Sequence, residues 1–332
     1  RYNADSRRLF EASGCAGKLG VFAVRTDTFV QAKMEEVLYL GTNDPVKLSQ
    51  LREDILTSFE HLPEMAEYLH RTIFKVTEIY GKDTFLSIKY LGTKRLPNFF
   101  SIKAKIESLL KRLPLLSDTL PDKFLFYMGK VLPRHLPKRM LDFHKKYEHH
   151  LILKMNDKGI DEAKNYLKKC WSKDSDSNFF VCTDDESEKA LLHRFAAGVA
   201  AGRYQTIHTN QVENILSLDI ALRRNDNDWF EILPKEVSDN LVHALYYGHF
   251  MCNVFHQNYI FKKGTDRQRM RSLILSMLDD KGAKYPAEHN VGHLYKAEDD
   301  LQIFYKKLDP TNTFNPGIGK MSKYQNHCNC CH

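Results

Sequence analysis

Apolar and polar positions along this 332-residue chain follow two periods in turn. Short runs rich in aromatic and β-branched residues predict strands at 18–28 (KLGVFAVRTDT), 149–155 (HHLILKM), 179–183 (FFVCT) and 246–260. Apolar residues three and four apart predict helices at 46–69, 161–171, 186–201, 237–245, 267–281 and 297–308. Strands and helices interleave without a repeat, an α+β pattern with long helical insertions.

Residues 85–150 follow a different rule. Pro97, Pro114, Pro121, Pro133 and Pro137 divide the segment into short helices, while Phe99, Phe100, Ile102, Ile106, Leu109, Leu110 and Leu113 recur near a 3.6-residue period. Charge sharpens the picture: fourteen Lys or Arg stand here against five Asp or Glu. That surplus of nine exceeds the +7 of the whole chain, so the remainder is net negative. Such helices can lie in a membrane interface, apolar side down, with each basic residue near an anionic surface contributing on the order of 1 kcal/mol. A solvated basic insert is the plain alternative. Binding to a nucleic-acid backbone ranks lowest, since no nucleic-acid motif is recognisable, and no nucleic-acid partner is expected.

Bulk properties narrow the class. With 42% hydrophobic and 27% charged residues, the chain can build and cover the core of one large domain or two smaller ones. No apolar run approaches the 18 or so residues that would span a bilayer. The seven cysteines (15, 170, 182, 252, 328, 330 and 331) form no disulfide framework, which suits a reducing compartment. The first eleven residues read as neither signal nor transit peptide, and a start at Arg1 reads as a truncation.

Three stretches carry candidate chemistry. ASGCAGKLGV, residues 12–21, is a small-residue turn that lets a backbone approach a flat cofactor or a phosphate. GHFMCNVFH, residues 248–256, places His249 and His256 seven apart; on one extended strand that odd offset puts them on opposite faces, so a shared site needs a bulge or turn between them. In PAEHNVGH, residues 286–293, a carboxylate beside an imidazole offers a metal ligand and a general base close together. The Cys/His tail, 327–332, has zinc-ligand residue types but is left unassigned.

These stretches, together with KYEHHLILKM, LDIALRRND, LVHALYYGHFMCNVFHQNYI, YPAEHNVGHLYKA and DPTNTFNPGIGK, resemble the quinone-dependent D-lactate dehydrogenases of Gram-negative bacteria, over essentially the whole chain to about Lys323. These are FAD-linked enzymes with a flavin domain of the vanillyl-alcohol-oxidase type. The resemblance implies an α+β fold: the end of such an FAD domain (1–28 and 279–332), a cap domain of antiparallel sheet with helices (29–75, 147–184 and 209–278), and an inserted basic helical membrane-binding domain (76–146, with 185–208 as a candidate addition). It implies FAD contacts at Ser13, Gly14, Gly17 and the backbone of Val21, with Lys18 where the family has Thr. It places a divalent cation, Zn or Mn, on His249, His256 and Glu288, with His289 as general base and Asn290 where the family has Gly.

Oxidation of D-lactate to pyruvate, with electrons passed to a membrane quinone, is the activity so implied. The partners are D-lactate, quinone and an anionic phospholipid surface, at the cytoplasmic side of a bacterial inner membrane as a peripheral protein. A cationic fork for the substrate carboxylate is sought among Arg194, Arg203, Arg223 and Arg224, with Arg194 and Arg224 preferred. Alternative readings are a non-catalytic cap and membrane-binding module, or a dehydrogenase of another D-2-hydroxy acid.

Overall fold

The computed structural model describes residues 12–26, 28, 30–112, 117, 119–171, 176–287 and 295–326. The chain divides into two compact units, Ala32–Tyr285 and the pair Arg1–Gln31 with Pro286–His332.

Unit Ala32–Tyr285 is built on one seven-stranded sheet. In chain order the strands are β1 (Glu35–Thr42), β2 (Met65–His70), β3 (His149–Asn156), β4 (Ser177–Val181), β5 (Val212–Ala221), β6 (Leu241–His249) and β7 (Val254–Lys262). They lie in the order β4-β1-β3-β2-β6-β7-β5, each antiparallel to its neighbours. The central strands are apolar on both faces, as a strand covered from both sides requires; Leu38, Tyr39 and Leu40 of β1 are fully buried.

Helices α1 (Pro45–Ser58), α2 (Arg71–Tyr80), α3 (Lys82–Leu91), α4 (Leu96–Leu110), α5 (Leu120–Val131), α6 (Lys138–Lys146), α7 (Lys158–Cys170), α8 (Asp184–Ile207), the one-turn α9 (Lys235–Ser238) and α10 (Arg267–Asp280) complete the unit. One core packs Val37, Tyr39, Leu69, Ile152, Leu245, Tyr247 and Ile260 of the sheet against Ile73, Phe74 and Val76 of α2 and a run of alanines on α8. Ala190, Ala196, Ala197, Ala200 and Ala201 have no side chain beyond Cβ, so the helix backbone sits close to the strands. A capping box of Thr183 and Glu186 starts α8, and Glu186 also pairs with Arg139 of α6. The opposite sheet face is aromatic: Trp229 meets Tyr68 edge-on at 4.8 Å and stacks on Phe255 at 5.2 Å between ring centroids.

Prolines open the helices of the basic segment: Pro97 and Pro121 lie in the first turns of α4 and α5, and Pro137 caps α6. Arg203 of α8 holds this layer together. Its guanidinium donates to Asp83 of α3 at 2.7 Å and lies 2.9 Å from Asp122 of α5, all three side chains being nearly buried. Removing the guanidinium strands the shielded Asp83 carboxylate and leaves Asp122 to Lys103 alone, so Arg203→Ala is expected to lower stability by about 3 kcal/mol in urea unfolding; an unchanged midpoint would refute the clamp.

The second unit holds a 3-10 turn (Ala12–Gly14), helix α11 (Asp299–Leu308) and a 3-10 turn (Ile318–Lys320) around a small core of Ala297, Tyr305 and Ile318.

Several elements differ from the sequence pattern. Residues 18–26 form no strand: Val21, Phe22 and Val24 are exposed, and no strand among the described residues offers the ladder that would define one. The helix expected over 46–69 stops at Ser58, and β2 begins after Pro63 and Glu64. The apolar spacing of 65–69 is also satisfied by a strand buried on both faces, which period alone does not separate from a buried helix. The helix expected over 237–245 is only the single turn of α9. The strand expected over 246–260 is the β6–β7 hairpin, folded at the 3-10 turn Phe250–Cys252, where Asn253 takes the left-handed conformation at φ 58°.

Candidate functional site

The hairpin turn decides the geometry of the histidine pair. His249 is the last residue of β6, and the register pairs it with Val254 and pairs Tyr247 with His256. His249 and Tyr247 share a face, and so do the directly opposed Tyr247 and His256. The odd offset in sequence therefore becomes a common face, with the two imidazole centroids 5.3 Å apart at 80°.

Each imidazole is held by a carboxylate on the neighbouring strand. His249 Nδ1 lies 2.8 Å from Glu67 Oε1, and Glu67 is its register partner on β2. His256 Nδ1 lies 2.6 Å from Asp219 Oδ1, and Asp219 is its register partner on β5. A polar row of acid, imidazole, imidazole and acid thus crosses four strands on the face that carries α8. Glu67 and Asp219 are nearly buried. Among the described residues no group of three or more His, Cys, Asp or Glu is close enough to hold a metal ion. The two imidazoles with anchored Nδ1 atoms do fit half of such a site, because ligating histidines commonly donate their other ring N–H to a carboxylate.

The four candidate arginines separate. Arg194 of α8 joins the polar row: its Nε lies 2.8 Å from Glu67 Oε2, and its guanidinium covers the Tyr247 ring at 4.8 Å. Burial raises the Tyr247 hydroxyl above the ordinary tyrosine range, against a hydrogen bond to Asn258 and the nearby Arg194 charge, so Tyr247 stays neutral. Arg224 lines a groove of about 450 Å³ with Ser49, Arg52, Glu53 and Asn227. Arg203 is the clamp described above. Arg223 packs on Gly282, whose place a Cβ would fill at 2.2 Å from its guanidinium.

The small-residue turn is a compact loop in its own unit. Ala16 and Gly17 both take positive φ, 45° and 78°, and Gly17 faces Asn315, whose amide donates to the Ala16 carbonyl at 2.8 Å. Val21 is half exposed and nothing crowds Gly20. Bare backbone of this kind fits the close approach of a flat ring or a phosphate. Lys18 points inward: its ammonium donates to Asn312 Oδ1 at 2.5 Å and lies 3.4 Å from Asp309. Burial works to raise the Asp309 carboxyl, but the amides of Thr313 and Phe314, the Thr311 hydroxyl and Lys18 outweigh it and hold the group below the usual carboxylate range. Lys18 therefore ties residues 15–18 to the 309–315 loop, a structural part that the motif does not disclose.

The basic segment presents apolar groups outward. Ile102, Ile106, Leu109, Phe124, Tyr127 and Val131 are exposed, and Ile102, Ile106, Leu110, Leu120 and Phe124 line an apolar groove of about 410 Å³ between α4 and α5. No described helix is long and apolar enough to cross a membrane. Glu288, His289 and the tail at 327–332 lie outside the described residues.

Comparison with known proteins places this chain among named relatives. It is 54% identical over 326 residues to the quinone-dependent D-lactate dehydrogenase of Escherichia coli K12, 52% over 323 to that of Haemophilus influenzae, and 41% over 326 to that of Corynebacterium glutamicum. These matches take in 97–98% of this chain and 57% of each relative. Among solved structures, a 4-ethylphenol oxidase from Gulosibacter chungangensis bound to isoeugenol aligns at TM-score 0.43 and 11% identity, over 89% of this chain and 55% of that one. An alkyldihydroxyacetonephosphate synthase aligns at 0.41 and 13%, over 86% and 44%. Likenesses of that degree decide neither fold nor function. Residues 37–327 match the family described as "D-lactate dehydrogenase, membrane binding", and the chain belongs to that family.

Proposed function

We propose that this chain is the cap, membrane-binding and partial flavin-binding portion of an FAD-dependent enzyme that oxidises D-lactate to pyruvate and reduces a membrane quinone. The observation that carries this reading is the 54% identity over 98% of the chain to a protein named for that activity. In this reading 1–28 and 279–332 belong to a vanillyl-alcohol-oxidase-type FAD domain, with Ser13, Gly14, Gly17 and the Val21 backbone against the cofactor. Residues 76–146 rest on anionic phospholipid at the cytoplasmic face of the inner membrane, where exposed apolar side chains and the basic surplus both suit an interface.

His249 and His256 hold a divalent cation, with Glu288 as the third ligand named by the resemblance. His289 takes the hydroxyl proton of D-lactate as general base. Arg194, on the same sheet face as the histidine pair, is the better placed of the two preferred arginines for the substrate carboxylate. A divalent cation bound there would supply a Lewis acid for the substrate hydroxyl, and bound FAD would supply the two-electron acceptor between D-lactate and quinone. The protein's own groups orient the substrate and move its proton.

The test is D-lactate-dependent quinone reduction by the full-length protein with FAD, on anionic vesicles containing quinone. His289→Ala is expected to lower kcat by about 10²- to 10⁴-fold, and high salt to release the protein from the vesicles. Unchanged turnover in His289→Ala removes the general base. Absence of D-lactate-dependent reduction in the unmodified protein removes the function, and reduction driven by a different D-2-hydroxy acid reassigns the substrate.

A further inference from the structure

We infer that the groove between α4 and α5 takes up an acyl chain of an anionic phospholipid, so that this helix pair meets hydrocarbon with its apolar stripes and headgroups with its cations. This rests on the proposed membrane contact of residues 76–146 and specifies which part of the lipid is held and by which side chains.

Each helix carries an apolar stripe that the described protein leaves uncovered. On α4, Ile102, Ile106 and Leu109 are exposed and stand four and three residues apart. On α5, Phe124, Tyr127, Met128 and Val131 are exposed at offsets of three, four and seven from the first, with Phe124 65% and Val131 83% accessible. Residues three and four apart share a helix face, so each set forms a continuous strip. No described side chain of α4 is buried, so the stripe of this helix is not spent on a core. Contiguous apolar surface of this kind marks a contact with something apolar. Ile102, Ile106 and Leu110 of α4 and Leu120, Phe124 and Leu125 of α5 line the groove of about 410 Å³. Lys103 also lines it, but its ammonium is engaged by Glu107 and lies 3.1 Å from Asp122, which ties α4 to α5.

Charge decides the occupant. Lys105, Lys111 and Arg112 are exposed on α4 and the turn after it, and Lys130 is exposed on α5. The carboxylates of Glu107 and Asp122 are engaged by Lys103 and Arg203. A second copy of this chain would bring the same cations against these, and a surplus of nine positive charges over residues 85–150 opposes such a pairing. A nucleic acid offers phosphates but no hydrocarbon for the stripes. An anionic phospholipid offers both, phosphate at the surface and chain beneath it, which is the layering an interfacial helix requires. Lys130 is suited to that boundary: its ammonium lies 4.5 Å from the centroid of the Phe126 ring and 5.5 Å from that of Tyr127, so aromatic surface and charge are carried together. No described helix can cross a bilayer, so the contact is with one leaflet.

The test places a tryptophan in the groove of the full-length protein as Phe124→Trp and reads its emission on vesicles at low salt. Trp171 and Trp229 are 2% and 3% exposed and so are shielded from lipid, and the unmodified protein supplies the background to subtract. Vesicles mix phosphatidylglycerol with phosphatidylcholine, whose acyl chains are either plain or brominated at mid-chain. The added tryptophan is expected to shift to the blue on plain vesicles and to lose emission on brominated ones. Vesicles of phosphatidylcholine alone are expected to bind weakly and quench little. Ile106→Asp, at an exposed position where folding is not at stake, is expected to weaken vesicle binding by about 10-fold or more in co-sedimentation, while Ile106→Leu retains it. Val131→Trp, on the same stripe, serves as a second reporter if Phe124→Trp fails to fold. Binding to anionic vesicles without quenching by brominated chains, or binding unchanged by Ile106→Asp, would overturn the inference and leave a contact with headgroups alone. Equal quenching on phosphatidylcholine alone would overturn the anionic lipid as the occupant. A dimer in solution that Ile106→Asp dissociates, with vesicle binding intact, would assign the groove to a second copy instead. Failure of the unmodified protein to bind anionic vesicles at all would overturn the membrane contact itself and the inference with it.

Discussion

Acidification from pH 7 to pH 4 is expected to unfold the sheet unit in a cooperative step, seen as loss of the near-ultraviolet circular dichroism of its buried aromatics. The cause is a set of buried histidines on both sides of the sheet: His149 and His70 pack among Phe230 and its aromatic neighbours, while His150 and His193 pack on Phe74 of α2. Burial pushes His70 and His193 down to about 3 and His135 and His149 to about 4, and it drives the fully buried His150 well below the ordinary value. His150 packs against Phe74 and His144, and neither of its ring nitrogens has a hydrogen-bond partner among the described residues.

In the unfolded chain these rings take up protons near pH 6.5, while in the folded protein they stay neutral until pH 4 or 3. Between those values the unfolded state binds more protons, so stability rises with pH and is lost as pH falls through the window. Each histidine contributes up to about 1.4 kcal/mol per pH unit there. Two such groups over two units amount to at most about 6 kcal/mol, comparable to the whole stability of many domains. Replacing His150 by Phe and His193 by Leu together is expected to move the midpoint to lower pH. If the midpoint stays where it was, acid unfolding comes from the carboxylates instead.

The second large effect concerns Gly248, in the hairpin that carries the histidine pair. A Cβ at this position would stand 2.3 Å from the Val254 carbonyl oxygen and 2.7 Å from Phe255 Cα. Both are backbone atoms of the partner strand, so the clash is relieved only by parting β6 from β7. Gly248→Ala is expected to cost about 3 kcal/mol or more and to separate His249 from His256. Gly198 of α8 is the control: a Cβ there meets nothing within 4 Å, so Gly198→Ala is expected to stabilise by about 0.5–1 kcal/mol through helix propensity. Urea midpoints of the two variants that move in the same direction would contradict this account.

Much of the architecture was legible before any coordinates. Strands β3 and β4 and helices α7, α10 and α11 lie where residue spacing placed them, within a few residues at each end, and α8 begins as expected but runs on to Ile207, six residues past the expected end; each is long or strongly patterned enough for local periodicity to decide its type. The prolines of the basic segment mark the starts of α4, α5 and α6, since proline fits the first turn of a helix. The errors have one physical origin. Residues 65–69 and 241–245 satisfy helical spacing as well as a strand does, and only a neighbouring strand decides between them. Residues 18–26 have the composition of a strand without a ladder to join.

Sequence by itself determined the α+β class, the concentration of positive charge in residues 85–150, the histidines at 249 and 256, and the kinship to membrane-binding D-lactate dehydrogenases. These follow from composition, local period and residue identity, all of which are written along the chain. Tertiary structure alone decided that the two histidines share a face, that Glu67 and Asp219 hold them, that Arg194 joins their row, and that Lys18 is buried against Asp309 and Asn312. Each of these depends on which strand or loop lies beside which, and long-range pairing is set by burial summed over the whole sheet rather than by any local run of residues.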